Sequence, residues 1–156
     1  MNKVKIGQAV PDMELHATDD QVYKLSDLHG KTLVLYFYPK DNTPGCTTEG
    51  QDFRDSYEEF RKLNTEIIGV SRDGLKSHEN FKSKHCLPFD LVSDETETLC
   101  KAFDVLREKT KDDKQYMSID RSTFVIDKKG ILREEFRGVK VDGHIAYLLG
   151  ALKKYI

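Results

Sequence analysis

Two patterns of apolar positions alternate along the chain, one typical of buried strands and one typical of helices packed on them. Residues 32–38 are a continuous apolar and aromatic run, which predicts a buried central strand. After it, from a start close to residue 46, apolar side chains recur at helical spacing. These positions are Phe53, Tyr57, Phe60 and Leu63. Residues 66–71 form a second apolar run, and because a helix connects the two runs, we expect parallel strands.

The regions before and after this strand–helix–strand segment have weaker apolar patterns. Residues 1–30 predict a polar, irregular start with short strands, ending in a helical turn that Gly30 closes. Residues 78–86 predict a helix that Pro88 ends, and residues 89–94 a short strand.

The second half of the chain begins with a helix and ends with one. The first of these helices carries Leu99, Cys100 and Phe103. The charged residues 106–117 predict a surface loop, residues 122–136 an antiparallel hairpin, and the residues after Gly143 an amphipathic helix. This order predicts an α/β fold with a mixed central sheet flanked by helices, in a single domain of residues 1–156.

Composition excludes several classes of function. The chain has 156 residues, 33% of them charged, with a net charge of −2, which gives no electrostatic case for binding nucleic acid or an anionic membrane. The N-terminus lacks the apolar core of a signal peptide. Three cysteines far apart do not form a disulfide scaffold, so we expect a reducing, cytoplasmic setting.

The residues between the central strand and the following helix carry the candidate chemistry. Prolines 39 and 44, with Asn42 and Gly45, are turn-forming, and they deliver Cys46 to the first turn of the helix. Unpaired N–H groups and the helix dipole favour a thiolate there. Cys46 is therefore a candidate nucleophile.

The spacing Pro-x-x-x-Thr-x-x-Cys suggests what the nucleophile attacks. Pro39 can shield the sulfur from water, and Thr43 offers a hydroxyl within one turn of it. Glu49 occupies the place of the second cysteine in a Cys-x-x-Cys pair, so a thioredoxin-type dithiol is absent and thiol–disulfide exchange is disfavoured. A thiolate among hydrogen-bond donors suits attack on a peroxide O–O bond, which yields a sulfenic acid. Arg121, at the start of a predicted strand, is either the cation beside this sulfur or a surface arginine paired with a carboxylate.

The segment 36–47, together with residues 6–12, 91–94 and 121–127, resembles the peroxiredoxins, and most of all their bacterioferritin-comigratory-protein (PrxQ) branch. The resemblance covers nearly the whole chain. It implies a thioredoxin-like fold and an antioxidant thiol peroxidase that reduces hydrogen peroxide and organic hydroperoxides, with no cofactor or metal. The implied reductant is thioredoxin or a glutaredoxin/glutathione-type thiol, and a monomer is expected for this branch.

The resemblance also assigns roles to residues. Cys46 is the implied peroxidatic cysteine, Thr43 and Arg121 polarise the peroxide and hold the thiolate, Pro39 shields the sulfur, and Glu49 hydrogen-bonds the arginine.

This chain differs from many members of the branch at the resolving cysteine, the second cysteine of the catalytic cycle. Many members of the branch carry a resolving cysteine five residues after the first, where this chain has Gln51. Cys86 is the candidate for that role, and the alternative is a small hydrophobe at a helix end. Cys100 lies among apolar residues and is expected to be structural. Without a resolving cysteine, an external thiol reduces the sulfenic acid.

Two further hypotheses stay open at this point. A non-enzymatic redox sensor or chaperone-like module could use the same fold and Cys46, but it does not need the full set of Thr43, Cys46 and Arg121. A metal site is not indicated, because the five histidines are scattered without ligand spacing.

Overall fold

A computed structural model describes residues 3–155 of the chain. In chain order the strands are β1 (Glu14–Ala17), β2 (Gln21–Lys24), β3 (Thr32–Phe37), β4 (Thr65–Ser71), β5 (Asp90–Ser93), β6 (Leu106–Lys111), β7 (Lys114–Ile119), β8 (Ser122–Ile126) and β9 (Leu132–Phe136). The helices are α1 (Pro44–Asp55), α2 (Tyr57–Lys62), α3 (Leu75–Lys84), α4 (Thr98–Ala102) and α5 (His144–Leu152). Within these residues, no helix is long and apolar enough to cross a membrane.

Seven strands form one mixed sheet in the order β2-β1-β5-β4-β3-β8-β9. Strand β3 lies in the interior of the sheet, next to the middle strand β4. It pairs in parallel with β4, as the connecting helix predicts, and antiparallel with β8. In this register Tyr36 of β3 stands between Gly69 of β4 and Thr123 of β8. The predicted hairpin of β8 and β9 is present.

Successive side chains of β3 pack into two different hydrophobic cores, because side chains alternate between the two faces of a sheet. Leu35 belongs to the core that α4 covers, on one face of the sheet. Tyr36 belongs to the core on the other face, which is covered by α1, α2, α3 and α5. Cys46 packs in this second core, so the candidate nucleophile lies against the same face of β3 as Tyr36.

Two predicted helices have different bounds in the structure. The helix expected from residue 46 to 63 is divided at Ser56, whose backbone (φ −105°, ψ 8°) separates α1 from α2 while Phe53 and Phe60 both stay fully buried. The helix expected over residues 78–86 runs instead from 75 to 84. Cys86 follows it in the left-handed region (φ 51°), so this residue lies outside the helix.

The prediction of a surface loop at residues 106–117 is wrong. These residues belong to an antiparallel hairpin of β6 and β7, which forms a separate two-stranded sheet. Asp112 and Asp113 form its turn with φ values of 54° and 62°, the conformation of a type I′ turn, which matches the twist of a hairpin. The strands lack apolar alternation because most of their side chains are exposed, so the usual strand signal is missing.

Candidate active site

Cys46 is the third residue of α1, and its position follows from the turn before the helix. Thr43 is the residue before the helix and Pro44 its first residue, a place where proline fits because its missing N–H would have no helical partner. The side chain of Cys46 is buried, with 2% of its surface exposed. The N-terminal end of α1 favours negative charge at this sulfur.

Arg121, which lies between β7 and β8, brings its guanidinium to the sulfur of Cys46. Its Nη2 donates a hydrogen bond to Cys46 Sγ at 3.4 Å, and its Nη1 donates one to Glu49 Oε1 at 2.6 Å. The backbone carbonyl of Arg121 accepts a hydrogen bond from Val139 N at 2.9 Å. The arrangement therefore joins Cys46, Glu49 and Arg121, three residues that are separated by up to 75 positions in the sequence.

Gly45 makes the approach of the guanidinium possible. A methyl group on this residue would lie 3.0 Å from Arg121 Nη2, closer than ordinary van der Waals contact. A side chain at position 45 would therefore require the guanidinium to shift by a few tenths of an ångström.

Glu49 is the most deeply buried charged group of the site, with 1% of its side chain exposed. Burial raises its pKa from 4.5 to about 7, although the charge and hydrogen bond of Arg121 act in the opposite direction, and Asp52 adds a small further increase. Within residues 3–155, its Oε2 atom has no hydrogen-bond partner, and the same holds for the hydroxyl of Tyr36. Burial, followed by the charge of Glu49, keeps the pKa of Tyr36 well above its ordinary value.

Thr43 and Pro39 lie in the segment that leads from β3 into α1. The Thr43 hydroxyl donates a hydrogen bond to the Lys40 carbonyl at 2.8 Å. Both residues line an open groove of about 830 Å³ whose far wall is the β6–β7 hairpin. Tyr116 and Met117 project from this hairpin and are each 46% exposed. The missed hairpin is therefore part of the surroundings of the site.

Cys86 follows the end of α3, and the residue before it contacts α1. Its neighbour His85 has Nδ1 3.4 Å from Gln51 Nε2, and the His85 carbonyl accepts a hydrogen bond from Arg54 Nη1 at 2.9 Å. Cys86 itself is exposed. The residue after the end of α3 thus contacts α1 at Gln51 and Arg54.

Cys100 packs in the core on the opposite face of the sheet from Cys46. Burial, with the nearby charge of Asp94, raises the pKa of its thiol far above the ordinary range. This environment is that of an unreactive thiol.

The sequence did not predict the structural roles of three residues in or near the site: Tyr36, Gly45 and His78. Tyr36 and Gly45 matter through close packing, which leaves no sequence pattern. His78 is fully buried and lies three residues before the buried Phe81 on α3, so it falls on the apolar face of that helix. That position was the available signal for a buried histidine.

Comparison with known proteins identifies the family. Residues 6–135 match the model of the AhpC/TSA family. The chain belongs to this family, in its Bcp/PrxQ peroxiredoxin branch.

Individual relatives agree over nearly the full length. The peroxiredoxin Bcp of Bacillus subtilis is 54% identical over 150 residues, which are 96% of each chain. A PrxQ structure from Xylella fastidiosa has a TM-score of 0.92 at 42% identity and covers 99% of this chain and 98% of that one. The bacterioferritin comigratory protein of Xanthomonas campestris, described for its alkyl peroxide reduction activity, has a TM-score of 0.87 at 47% identity, with 91% and 90% covered.

The AhpC/TSA relatives confirm three of the predictions. The PrxQ branch, the thioredoxin-like peroxiredoxin fold and the class of activity, a thiol-dependent peroxidase, are all confirmed at this level. Peroxides as substrates agree with the same comparisons.

Proposed function

We propose that Cys46 is the peroxidatic cysteine of this thiol peroxidase and that Arg121 and Thr43 act with it on hydrogen peroxide and organic hydroperoxides. The distance of 3.4 Å between Arg121 Nη2 and Cys46 Sγ, at the N-terminal end of α1, is the observation that carries the proposal. A cation and a helix N-terminus at one sulfur favour the thiolate, which is the attacking form.

The reaction is one displacement at oxygen. The thiolate of Cys46 attacks the terminal oxygen of the hydroperoxide, an S–O bond forms as the O–O bond breaks, and the products are a sulfenic acid and an alkoxide or hydroxide, which then takes a proton. Arg121 stabilises the negative charge as it moves from sulfur to the leaving oxygen. The Thr43 hydrogen is engaged with the Lys40 carbonyl, so the Thr43 oxygen is available to accept the O–H of the peroxide.

Glu49 and Pro39 support these groups. We assign to Glu49 the orientation of Arg121, through the 2.6 Å hydrogen bond. Pro39, half-buried at the end of β3, limits the access of water to the sulfur. The alkyl group of an organic hydroperoxide has room in the groove beside Tyr116 and Met117.

The test is a matched pair of cysteine variants. Cys46→Ser is expected to abolish peroxide consumption, because the nucleophile is lost. Cys100→Ser, which changes the other buried cysteine, is expected to retain it. Turnover with an added thiol is measured by the loss of peroxide; sustained turnover by Cys46→Ser would contradict the assignment, and a single stoichiometric oxidation of wild type would indicate a sensor instead.

We further propose that Cys86 is the resolving cysteine. Its thiol attacks the sulfenic sulfur of Cys46, which forms a disulfide and releases water. The contacts of His85 with Gln51 and Arg54 support this role, since they place the segment of Cys86 against α1. A disulfide needs Cα atoms about 4.4–6.8 Å apart, so α1 must partly unwind before the buried Cys46 can reach the exposed Cys86.

Intact mass after one equivalent of hydrogen peroxide distinguishes the two possible cycles. The expected result is a loss of two hydrogens in wild type and a gain of one oxygen in Cys86→Ser. A gain of oxygen in both proteins would show a one-cysteine cycle that depends on an external thiol.

The remaining assignments concern the protein's setting. A dithiol reductant such as thioredoxin suits a disulfide product, whereas a glutaredoxin/glutathione-type reductant suits a one-cysteine cycle. We also propose a monomeric, cytoplasmic protein with a single domain over residues 1–156. Light scattering at several protein concentrations tests the monomer, and a mass that rises with concentration would contradict it.

A further inference from the structure

A buried hydrogen-bond network joins the loop before α1 to the first turns of α3. Asp41 is its centre: Oδ1 accepts a hydrogen bond from the Tyr38 hydroxyl at 2.6 Å, and Oδ2 accepts one from the Ser77 hydroxyl at 2.8 Å. His78 Nδ1 lies 2.7 Å from the same Oδ2 atom. The side chains of Asp41 and His78 are 1% and 0% exposed.

The partners of His78 determine how many protons its ring carries. Nε2 lies 3.0 Å from the carbonyl oxygen of Val92, which is an acceptor without a proton. Nδ1 faces a carboxylate that already accepts two other hydrogen bonds. Both nitrogens therefore face acceptors, and the pattern is satisfied when each carries a proton. This state is an imidazolium paired with the Asp41 carboxylate.

The charged and titratable groups around the ring agree with this state. Asp41 and Asp73 are the carboxylates, and Tyr38 is the third titratable group. Burial, the largest single influence, raises the pKa of Asp41, but the hydrogen bond and charge of His78 together with the hydrogen bonds of Tyr38 and Ser77 outweigh it, and the pKa of this carboxyl is below its ordinary value. Burial raises the pKa of Tyr38, so its hydroxyl stays a donor.

The same atoms do not suit a metal ion. Asp41, Asp73 and His78 bring one ligand atom each to within 4.8 Å of one another, which resembles a metal site in spacing. However, the Asp41 Oδ2 atom that lies 2.7 Å from His78 Nδ1 is occupied, because it also accepts a hydrogen bond from the Ser77 hydroxyl. Asp73 Oδ2 is also occupied, because it accepts hydrogen bonds from the Ser71 hydroxyl at 2.6 Å and from Asp41 N at 2.9 Å.

The network holds the residues that flank the reaction site. Asp41 is fixed through both its side chain and its backbone N–H, and it lies two residues before Thr43 and two after Pro39. The next residue, Asn42, has a left-handed backbone (φ 62°), so the chain reverses direction immediately after the anchored residue and enters α1. A shift of Asp41 would therefore change where Thr43 and the N-terminal end of α1 lie.

We propose that His78 is a positioning residue for peroxide reduction. As a buried imidazolium bound to Asp41, it fixes the loop of residues 39–43 so that Thr43 and the start of α1 lie where the peroxide binds. The inference rests on the proposed role of Cys46.

The first test measures the protons directly on the wild-type protein. Nitrogen-15 NMR of the histidine rings at about pH 8, with His78→Gln used for assignment, is expected to show N–H groups at both Nδ1 and Nε2 of His78. A ring with one unprotonated nitrogen would overturn the proposal, and this measurement does not depend on whether any variant folds.

The second test separates positioning from a general structural effect. Stopped-flow oxidation of Cys46 by hydrogen peroxide is compared with its alkylation by iodoacetamide, which needs the thiolate but no peroxide-binding groups. His78→Gln and Asp41→Asn are each expected to slow oxidation at least tenfold, with alkylation slowed much less. The double variant is expected to be no slower than the slower single variant, because both changes break one pair.

The matched control is His144→Gln, which removes the hydrogen bond between another buried histidine and Thr123, 2.9 Å long, outside the loop. It is expected to oxidise at the wild-type rate. If His78→Gln oxidises within twofold of wild type, or if oxidation and alkylation slow equally, His78 does not position the site. If wild type itself is not oxidised at Cys46, the proposed function fails instead.

Discussion

Glu49→Gln removes the one carboxyl group of the site whose ionisation is strongly opposed by burial. Glutamine has nearly the same shape, and its amide oxygen can still accept the hydrogen bond that Arg121 donates at 2.6 Å. The main loss is the titration of the buried group. The variant therefore isolates the effect of that titration on the free energy of unfolding.

The magnitude follows from the pKa of Glu49, which rises from 4.5 to about 7 on folding. A carboxyl group with a higher pKa in the folded protein binds its proton more tightly there, so it destabilises the fold as the pH rises from 4.5 to about 7. The total loss by the upper end of this window is about 3 kcal/mol. The Glu49→Gln protein does not lose this stability as the pH rises. Any effect of the substitution that does not depend on pH adds only a constant to the free energy of unfolding.

Urea denaturation of both proteins, at several values from about pH 4.5 to about pH 8, provides the measurement. The free energy of unfolding of Glu49→Gln, minus that of wild type, is expected to increase by about 3 kcal/mol over this range. Glu58→Gln on α2 is the control, and because the Glu58 side chain is 74% exposed its difference is expected to stay nearly constant. A constant difference for Glu49→Gln as well would show that the buried carboxyl ionises normally and would refute the reasoning.

Three further substitutions test the packing around the site. Arg121→Ala is expected to slow the oxidation of Cys46, measured by stopped flow, between about tenfold and about 150-fold, the effect of losing one charged hydrogen bond. A rate within twofold of wild type would contradict the role proposed for Arg121. Gly45→Ala places a methyl group 3.0 Å from Arg121 Nη2 and is expected to slow the same step with little change in urea denaturation; an unchanged rate would show that the arginine can shift without cost. Gly69→Ala places a methyl group 2.8 Å from Tyr36 Cζ and is expected to lower the free energy of unfolding by about 1–3 kcal/mol. Gly150→Ala, whose methyl group would meet open space, is the control. Equal changes in the free energy of unfolding for the two variants would contradict the packing argument.

The order of strands and helices was largely predictable from the sequence, because the apolar side chains of one strand or helix follow a pattern among neighbouring residues. The continuous apolar runs of β3 and β4, the hairpin of β8 and β9 and the helical spacing of α5 are such local signals. The hairpin at residues 106–119 lacks an apolar pattern, since most of its side chains face solvent, and its turn at Asp112 and Asp113 was the remaining local signal.

The sequence by itself also determined where a reactive thiol would lie. Turn residues next to an apolar run and a helix pattern are local features, and together they place Cys46 at the start of a helix. The tertiary structure alone decided which groups meet that sulfur. The residues alone left Arg121 as either a cation beside the sulfur or a surface arginine, and the resemblance implied its role and that of Glu49. Their hydrogen bonds depend on a pairing of β3 with β8 across more than 80 residues.

The pair of Asp41 and His78 shows the same limit most clearly. The two residues lie 37 positions apart and neither carries a motif, so nothing in the local pattern relates them. Burial removes water from both, and each can then be satisfied only by partners that the fold brings to it. Periodicity reports which side chains are buried, whereas the identity of a buried polar group's partner is a property of the assembled sheet and helices.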